Sequence, residues 1–232
     1  EAGGGPCDLM VDTGINRLGL AMRDMADPAI AALEIDCCMS HLASADEDSA
    51  QNPLQLARFF EVRAAVAAKR YSMANSAGIA LGPDYHFALT RPGLALYGGV
   101  PRRELAGHIA QVAQPQASVM QVRNLAAGDQ VGYNATFTAA APMRVGVVSL
   151  GYADGFLRCL AGQGAFLWRN QRLPVLGRIS MDMTVIDLSH ATDCGEGDWL
   201  SLDYALPDAA AASGLSQYEL LTLLGIRFAK EV

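Results

Sequence analysis

Two tyrosines lie near opposite ends of the stretch QVGYNATFTAAAPMRVGVVSLGYADGF, which covers residues 130–156. Tyr133 follows a glycine in the first segment, and Tyr152 lies with Asp154 in a turn bracketed by two glycines. A sharp glycine turn can present a phenol and a carboxylate, and a positioned phenol can act as a general acid or base. A single buried tyrosine is more often a packing residue. The combination of both segments, more than either tyrosine alone, therefore indicates chemistry.

A glycine-bracketed polar loop, TGINRLG at residues 13–19, follows the short apolar run CDLMVD. Its Arg17 carries a planar guanidinium, which can pair with a carboxylate through two parallel hydrogen bonds. Taken alone, the pattern favours a strand-to-helix turn with a solvated arginine. A loop that binds a carboxylate is the functional interpretation.

Three further segments run from an apolar stretch into small polar or glycine residues. They are MSHLASADE with His41, ANSAG with Ser76, and TRPGLALYG with Arg91, Gly93 and Leu94. Glycine-rich turns offer backbone N–H groups to phosphate. Taken singly, His41 is typical of a structural histidine at a strand end, and Arg91 of a surface residue before a proline turn.

The first half of the chain alternates strand-like apolar runs with helical patterns. We predict strands over residues 7–12, 35–42 and 71–78, the last of which breaks into small polar residues, and within 87–98. A helix is predicted to begin with Asn52 as its N-cap, to bury one face, and to end with Lys69 in its last turn. Strands that alternate with helices and end in polar residues predict a (β/α) barrel whose site lies at the strand carboxyl ends.

The second half changes to short strands separated by turns, with no helical period before residues 217–224. This pattern predicts a mostly antiparallel β domain. The predicted domains are residues 1–107, a partial (β/α) barrel, and residues 108–232, a β domain that carries Tyr133.

Taken together and in this order, the motifs resemble those of alanine racemase, a fold-type III enzyme that uses pyridoxal 5'-phosphate (PLP). The resemblance extends over essentially the whole chain. It implies the C-terminal part of a TIM-type (β/α)8 barrel followed by a mostly antiparallel β domain. It also implies interconversion of L-alanine and D-alanine through a PLP aldimine by a two-base mechanism, which supplies D-alanine for peptidoglycan.

The resemblance assigns substrate roles to four residues. Tyr133 would be the base that removes the α-proton of L-alanine, acting across the interface of a homodimer. Arg17 would bind the substrate carboxylate. Met181, in GRISMDMTVIDL, would contact the substrate from the partner subunit, although a methionine in a strand is by default a core residue. Tyr152 would stand at the entrance to the site.

The same resemblance assigns cofactor roles in the first half. His41 would lie against the PLP ring, Ser76, Gly93 and Leu94 would bind the phosphate, and Arg91 would face the pyridine nitrogen. Arginine only donates hydrogen bonds, so this nitrogen would stay unprotonated. A neutral pyridine is a weaker electron sink than a pyridinium, which suits racemisation better than transamination.

The chain departs from the family pattern at several positions. Met10 lies where many members carry a carbamylated lysine that orients the arginine, and Ile226 where many carry a tyrosine that touches the phosphate. PLP enzymes hold the cofactor on a lysine. The sequence has two lysines, Lys69 and Lys230, and neither matches the family motif that carries the cofactor lysine. We therefore expect the chain by itself to be inactive, as part of a longer racemase or as a fragment that associates with a full-length subunit.

A second interpretation is another PLP enzyme of the same design, such as a broad-specificity racemase or an amino-acid decarboxylase. Decarboxylases of this group place a carboxylate at the pyridine nitrogen, so Arg91 argues against them. Alanine and serine cannot be distinguished as substrates from these residues.

Composition limits the other classes of partner. The formal charge of −7 argues against nucleic acid or an anionic membrane. No apolar run approaches the roughly 18 residues of a membrane-spanning helix, and no signal peptide is recognised. The five cysteines lack metal-type spacing, so we predict free thiols, no metal site and a cytoplasmic location.

Overall fold

The computed structural model describes residues 5–229. They pack into two compact units, an N-terminal unit that ends at Ala110 and a C-terminal unit that begins at Gln111. The main hydrophobic cores of the two units have no residue in common.

A five-stranded parallel sheet forms the centre of the N-terminal unit. Its strands are β1 (Cys7–Asp12), β2 (Leu20–Ala21), β3 (Ile35–Met39), β4 (Arg70–Asn75) and β5 (Leu89–Arg91). Their spatial order is β2-β1-β3-β4-β5, and every neighbouring pair is parallel. Because parallel neighbours require crossover connections, helical segments lie between the longer strands.

The helices of this unit are short apart from one. The α-helices are α1 (Pro28–Ala31), α2 (Gln51–Ala65) and α3 (Ser76–Ile79). Turns of 3-10 helix cover Met22–Asp24, Pro83–Tyr85, Leu94–Tyr97 and Arg103–Leu105. The buried residues of α2, Asn52, Gln55, Phe59 and Val62, recur three or four positions apart and so form one stripe.

The start of α2 differs from the sequence prediction. The helix begins at Gln51, with Ala50 as its N-cap, and Asn52 lies inside the first turn. The amide of Asn52 donates instead to the carbonyls of Ser44 and Glu47, at 3.0 Å each. An asparagine caps a helix only when its side chain is free to bond the first N–H groups, and here the preceding loop engages that side chain.

A closed antiparallel barrel forms the C-terminal unit. Its strands are β6 (Gln116–Leu125), β9 (Met143–Val148), β10 (Ala165–Trp168), β11 (Gln171–Leu176), β12 (Thr184–Asp187) and β13 (Trp199–Leu202). They follow one another around the barrel in the order β10-β11-β12-β9-β6-β13. Closure pairs every strand on both sides and leaves the barrel no free edge.

Smaller elements complete the C-terminal unit. A hairpin joins β7 (Gln130–Val131) to β8 (Phe137–Thr138), and 3-10 turns cover Tyr133–Ala135, Tyr152–Asp154 and Arg158–Leu160. Two helices, α4 (Leu206–Ser213) and α5 (Gln217–Leu223), follow the barrel. The sequence pattern predicted α5 but not α4. The alanine-rich α4 has high intrinsic propensity but too few large apolar residues to show a period.

Neither a bilayer-spanning helix nor a metal cluster occurs in the part of the chain that the structure describes. No helix there combines the length and apolarity needed to cross a membrane. Among the same residues, no group of three or more His, Cys, Asp or Glu side chains is arranged to hold a metal ion.

Candidate active site

The carboxyl edge of the parallel sheet collects most of the predicted site residues. Arg17 lies in the loop after β1, His41 follows β3, Ser76 follows β4, and Arg91 is the last residue of β5. Parallel strands end at the same edge of their sheet, which is where α/β proteins place their sites. The strand pairing aligns Asn75, the residue before Ser76, with Arg91.

Two neutral oxygens from neighbouring strands hold the guanidinium of Arg91. Its Nη1 donates to the Ser72 hydroxyl at 2.5 Å, and its Nη2 donates to the Ser40 carbonyl at 2.6 Å. Burial lowers the pKa of Arg91 from its usual range. Among residues 5–229, no carboxylate pairs with this guanidinium and its Nε–H has no acceptor. Arg91 therefore retains a donor for a further acceptor.

His41 lies within electrostatic range of both arginines of the site. Burial lowers its pKa, and the positive charges of Arg91 and Arg17 lower it further. These influences favour the neutral imidazole at pH 7. The sheet edge thus brings two guanidinium groups and one neutral imidazole together.

The loop that carries Arg17 is held by Asp12 at the end of β1. The Asp12 carboxylate accepts hydrogen bonds from the backbone N–H groups of Gly14 at 2.8 Å and Arg17 at 3.0 Å. Burial raises the pKa of Asp12, but hydrogen bonds from the loop outweigh it, so the net pKa is lowered. Backbone contacts therefore shape this loop where Met10 offers no charged group. The Arg17 side chain is exposed, and within the described chain it has no ion pair.

Ser76 and Gly93 form the candidate phosphate-binding corner. The Ser76 hydroxyl accepts hydrogen bonds from the backbone N–H groups of Gly93 at 2.8 Å and Ala95 at 3.2 Å. Leu94, between these two residues, is buried and starts a 3-10 turn. Ser76 is only 5% exposed, and its hydroxyl proton has no acceptor among residues 5–229. The Ser76 hydroxyl proton is therefore the donor left free at this corner, while the Gly93 and Ala95 N–H groups are bonded to the Ser76 oxygen.

Tyr133 lies on the surface of the C-terminal unit. It is 66% exposed, so its phenol does not point into packed apolar interior. The turn around it contains Gly132 at φ 73°, Asn134 at φ 61° and Ala135 at φ 48°. Consecutive left-handed residues other than glycine are costly and are found where function needs a special conformation. The turn thus displays Tyr133.

Tyr152 and Met181 lie on two loops that interlock. The backbone N–H groups of Tyr152 and Ala153 donate to the carbonyls of Ser180 at 3.0 Å and Met181 at 2.9 Å. A Cβ atom on Gly151 would lie 2.3 Å from the Met181 carbonyl oxygen, so only glycine fits there. The Arg158 guanidinium stacks over the Tyr152 ring at 4.8 Å from its centre. Met181 is 53% exposed.

Arg227 joins these two loops and was not recognised in the sequence. Its Nε lies 3.1 Å from a carboxylate oxygen of Asp154, and its Nη1 donates to Asp182 at 2.7 Å. The other oxygen of Asp154 accepts from the Gly151 N–H at 2.9 Å. Its neighbour Ile226 is 98% exposed. No spacing or composition around this arginine distinguishes it in the sequence.

The lysine that the structure describes lies away from the site. Lys69 lies beyond the end of α2, not in its last turn as predicted, and directly precedes β4 at the amino edge of the sheet. Its Nζ pairs with Glu34 at 2.8 Å. Lys230 lies outside the described residues. Residues 5–229 therefore place no lysine beside Arg91 and His41.

Both units match a family of known proteins. The family described as alanine racemase, N-terminal domain, matches residues 3–101, and the alanine racemase C-terminal domain matches residues 112–232. The biosynthetic alanine racemase of Agrobacterium fabrum is 39% identical over all of this chain and 65% of its own length. The alanine racemase of Acidiphilium cryptum is also 39% identical, over 98% of this chain and 66% of its own.

Solved structures agree with the same assignment. Alanine racemase from Bartonella henselae, with covalently bound pyridoxal phosphate, superposes with a TM-score of 0.85 at 35% identity, over 96% of this chain and 65% of that one. Biosynthetic alanine racemase from Pseudomonas aeruginosa gives a TM-score of 0.81 at 31% identity, over 99% and 68%. The predicted fold class is confirmed. The chain spans about 65% of the length of the curated relatives it matches.

Proposed function

This chain belongs to the alanine racemase family, and we propose that it forms part of an enzyme that interconverts L-alanine and D-alanine with PLP as cofactor. The observation that carries the proposal is the convergence of Arg91, His41 and Arg17 at one edge of the sheet, with no carboxylate paired to either arginine among the described residues. Such a site has a surplus of positive charge and suits an anionic cofactor and an anionic substrate.

The residues at this edge fit PLP. Ser76, Gly93 and Leu94 would hold its phosphate: the Ser76 hydroxyl proton is free to donate to it, and the phosphate would share the Gly93 N–H with the Ser76 oxygen. Arg91 would donate its remaining N–H to the pyridine nitrogen, and the neutral imidazole of His41 would lie against the ring. When bound, PLP withdraws electrons from the α-carbon of the amino acid. Arg91 would moderate this withdrawal because it leaves the nitrogen unprotonated.

Two other residues would act on the substrate. Arg17 would bind the alanine carboxylate through its free guanidinium fork. On one face of the alanine, the Tyr133 phenolate would remove the α-proton, or the Tyr133 hydroxyl would return it. A two-base mechanism needs a second base on the other face. The family's second base is the cofactor-bearing lysine, and residues 5–229 offer none at this edge, so we propose that this chain by itself does not racemise alanine.

We also propose that the enzyme is a cytoplasmic homodimer that supplies D-alanine for peptidoglycan. The support is that the C-terminal unit exposes several large side chains: Tyr133, Met181, Met183 and Ile226 are 66%, 53%, 43% and 98% exposed. A second subunit that covered them would remove apolar surface from water. Tyr133 and Met181 would then contribute to the partner's site, with Tyr152 at its entrance.

The test is alanine racemisation by the protein expressed from its complete gene, with and without Tyr133→Phe. Loss of the hydroxyl should reduce the rate by about 100-fold or more, because a positioned acid or base contributes that much. Exchange of the α-hydrogen with solvent deuterium should fall most for L-alanine. Tyr218→Phe is the matched control, since Tyr218 is also an exposed tyrosine of the C-terminal unit. Equal effects of the two substitutions, or a wild-type protein without racemisation, would contradict the proposal.

A further inference from the structure

Gln55 is a fully buried polar residue on the apolar face of α2. It is 0% exposed and lies between Asn52 and Phe59 on the buried stripe of the helix. A buried amide is costly unless its hydrogen bonds are made. The contacts of this side chain therefore explain why the helix carries glutamine at a core position.

The Gln55 amide bonds to two of the candidate site loops. Its oxygen accepts from the Ala43 N–H at 2.9 Å, and its nitrogen donates to the His41 carbonyl at 2.9 Å. The same nitrogen donates to the Thr13 hydroxyl at 3.2 Å. Thr13 opens the loop that carries Arg17, and His41 and Ala43 belong to the loop after β3. One side chain thus ties the two loops together.

The rest of α2 repeats this connection nearer the surface. Gln51, one turn earlier, donates to the Gly14 carbonyl at 2.9 Å and accepts from the Ser44 hydroxyl at 3.0 Å. Arg58 donates to the Thr13 carbonyl at 3.0 Å. The helix therefore faces both loops with three polar side chains, of which Gln55 is the most deeply buried.

A chain of hydrogen bonds extends from Gln55 to Arg91. The Thr13 and Ser40 hydroxyls lie 2.7 Å apart, and the Ser40 carbonyl accepts from Arg91 at 2.6 Å. Arg91 also donates to Ser72, and Thr13, Ser40 and Ser72 are each at most 1% exposed. Buried polar networks whose members are satisfied favour one geometry over its alternatives.

We propose that Gln55 is a positioning residue, which sets the distance between the Arg17 loop and the His41 loop and links both to Arg91. This inference rests on the proposed function, because the groups it spaces are those assigned to the alanine carboxylate and the cofactor ring. Within residues 5–229, Gln55 bonds to the Thr13 hydroxyl and to the backbone of His41 and Ala43, and makes no hydrogen bond to the side chain of Arg17, His41 or Arg91. A displacement of about 1 Å between such groups can cost a large factor in rate.

The first test is hydrogen exchange, which needs no enzymatic activity. Gln55→Met keeps the side-chain volume but removes all three hydrogen bonds, so the amides of Ala43 and of residues 14–17 should exchange at least about tenfold faster. Gln55→Glu keeps the acceptor for Ala43 but loses both donors, so the Ala43 amide should stay more protected than in Gln55→Met. Val62→Ala is the control, because Val62 is 0% exposed on the same helix face and contacts neither loop through a hydrogen bond. Wild-type exchange at these amides in Gln55→Met would overturn the inference.

The second test is kinetic and uses the protein from its complete gene. Gln55→Met should raise the KM for alanine by about tenfold or more, because a misplaced Arg17 weakens carboxylate binding in ground and transition states alike. Val62→Ala should lower the melting temperature without that change in KM. If Gln55→Met does not fold, Thr13→Val, which keeps volume and breaks the link to Gln55 and Ser40, replaces it in both tests. An unchanged KM in a folded variant would contradict the inference. A wild-type protein without racemisation would contradict the proposed function alone and leave the exchange result to decide on Gln55.

Discussion

His41 is a half-buried histidine that lies near two arginines of the site. Burial and the nearby charges of Arg91 and Arg17 all act against its protonated form. An imidazole that stays neutral keeps a flat, uncharged face, which suits contact with an aromatic ring. Because the two arginines add to the effect of burial, removal of either charge should shift the titration of His41.

The NMR titration midpoint of His41 should therefore fall below the value of about 6.5 for a free imidazole. Arg17→Gln should move the midpoint upward, since one of the opposing positive charges is removed. Arg23→Gln is the matched control, because Arg23 is exposed in the same unit and pairs with Asp24. A midpoint that does not respond to Arg17→Gln would show that the loop does not hold Arg17 near His41.

The sign of the linked effect on stability follows from the lowered pKa. Below about pH 6.5 the unfolded chain binds the His41 proton more tightly than the folded chain does. Stability should therefore fall as the pH falls from about 6.5 toward the folded-state pKa. His41→Asn should lack this component in pH-dependent urea unfolding.

At the scale of elements, loops in this protein are held by side chains that the elements beside them supply. Asp12 shapes the loop after β1, and α2 holds the loops after β1 and β3. In the C-terminal unit, Arg227 joins the turn of Tyr152 to the loop of Met181 through Asp154 and Asp182. These ion pairs therefore fix the positions of Tyr152 and Met181, two candidate substrate contacts, relative to each other.

Arg227→Gln should loosen both of these loops without unfolding the barrel. Backbone amides in residues 151–155 and 180–183 should exchange with deuterium faster, while those of β6 and β9 should keep their protection. Arg123→Gln removes the same charge from an exposed position of β6 and should leave the loops unchanged. If the loops were equally protected in the wild type and in both variants, the backbone hydrogen bonds between the two loops would be sufficient to hold them together.

At the scale of the whole molecule, two separate cores underlie the two units. Phe59 is fully buried in the N-terminal core, where it meets Phe87 edge to face at 4.9 Å. Phe166 is fully buried in the C-terminal core and meets Phe156 at 5.8 Å. Core clusters that share no residues predict two cooperative unfolding units.

Substitutions in the two cores should therefore affect different transitions. Phe59→Ala and Phe166→Ala should each lower the unfolding free energy of their own unit by about 3–5 kcal/mol. Both tryptophans, Trp168 and Trp199, belong to the C-terminal unit, so tryptophan fluorescence in urea reports on that unit. Phe166→Ala should shift the fluorescence transition and Phe59→Ala should not. Equal shifts would show that the units unfold as one.

The sequence by itself determined the local features of this protein. Strand β1 lies over the predicted residues 7–12, and α5 lies within one residue of its predicted bounds. These elements depend on apolar patterning and capping between near neighbours, which a sequence displays directly. The side chains at the strand ends were also recognisable, because glycine, serine and arginine there have specific uses. Their roles at the site stay predictions.

Only the tertiary structure decided which of these features meet. The barrel closes through β13, a four-residue strand that pairs with β6 about 80 residues earlier in the chain. Asn52 could not be recognised as a poor cap, nor Gln55 and Arg227 as connectors, because their partners lie in other loops. The type of a residue determines which hydrogen bonds and ion pairs it can make. Which partner it finds depends on the packing of the whole unit, because burial forces every polar group to take an available partner.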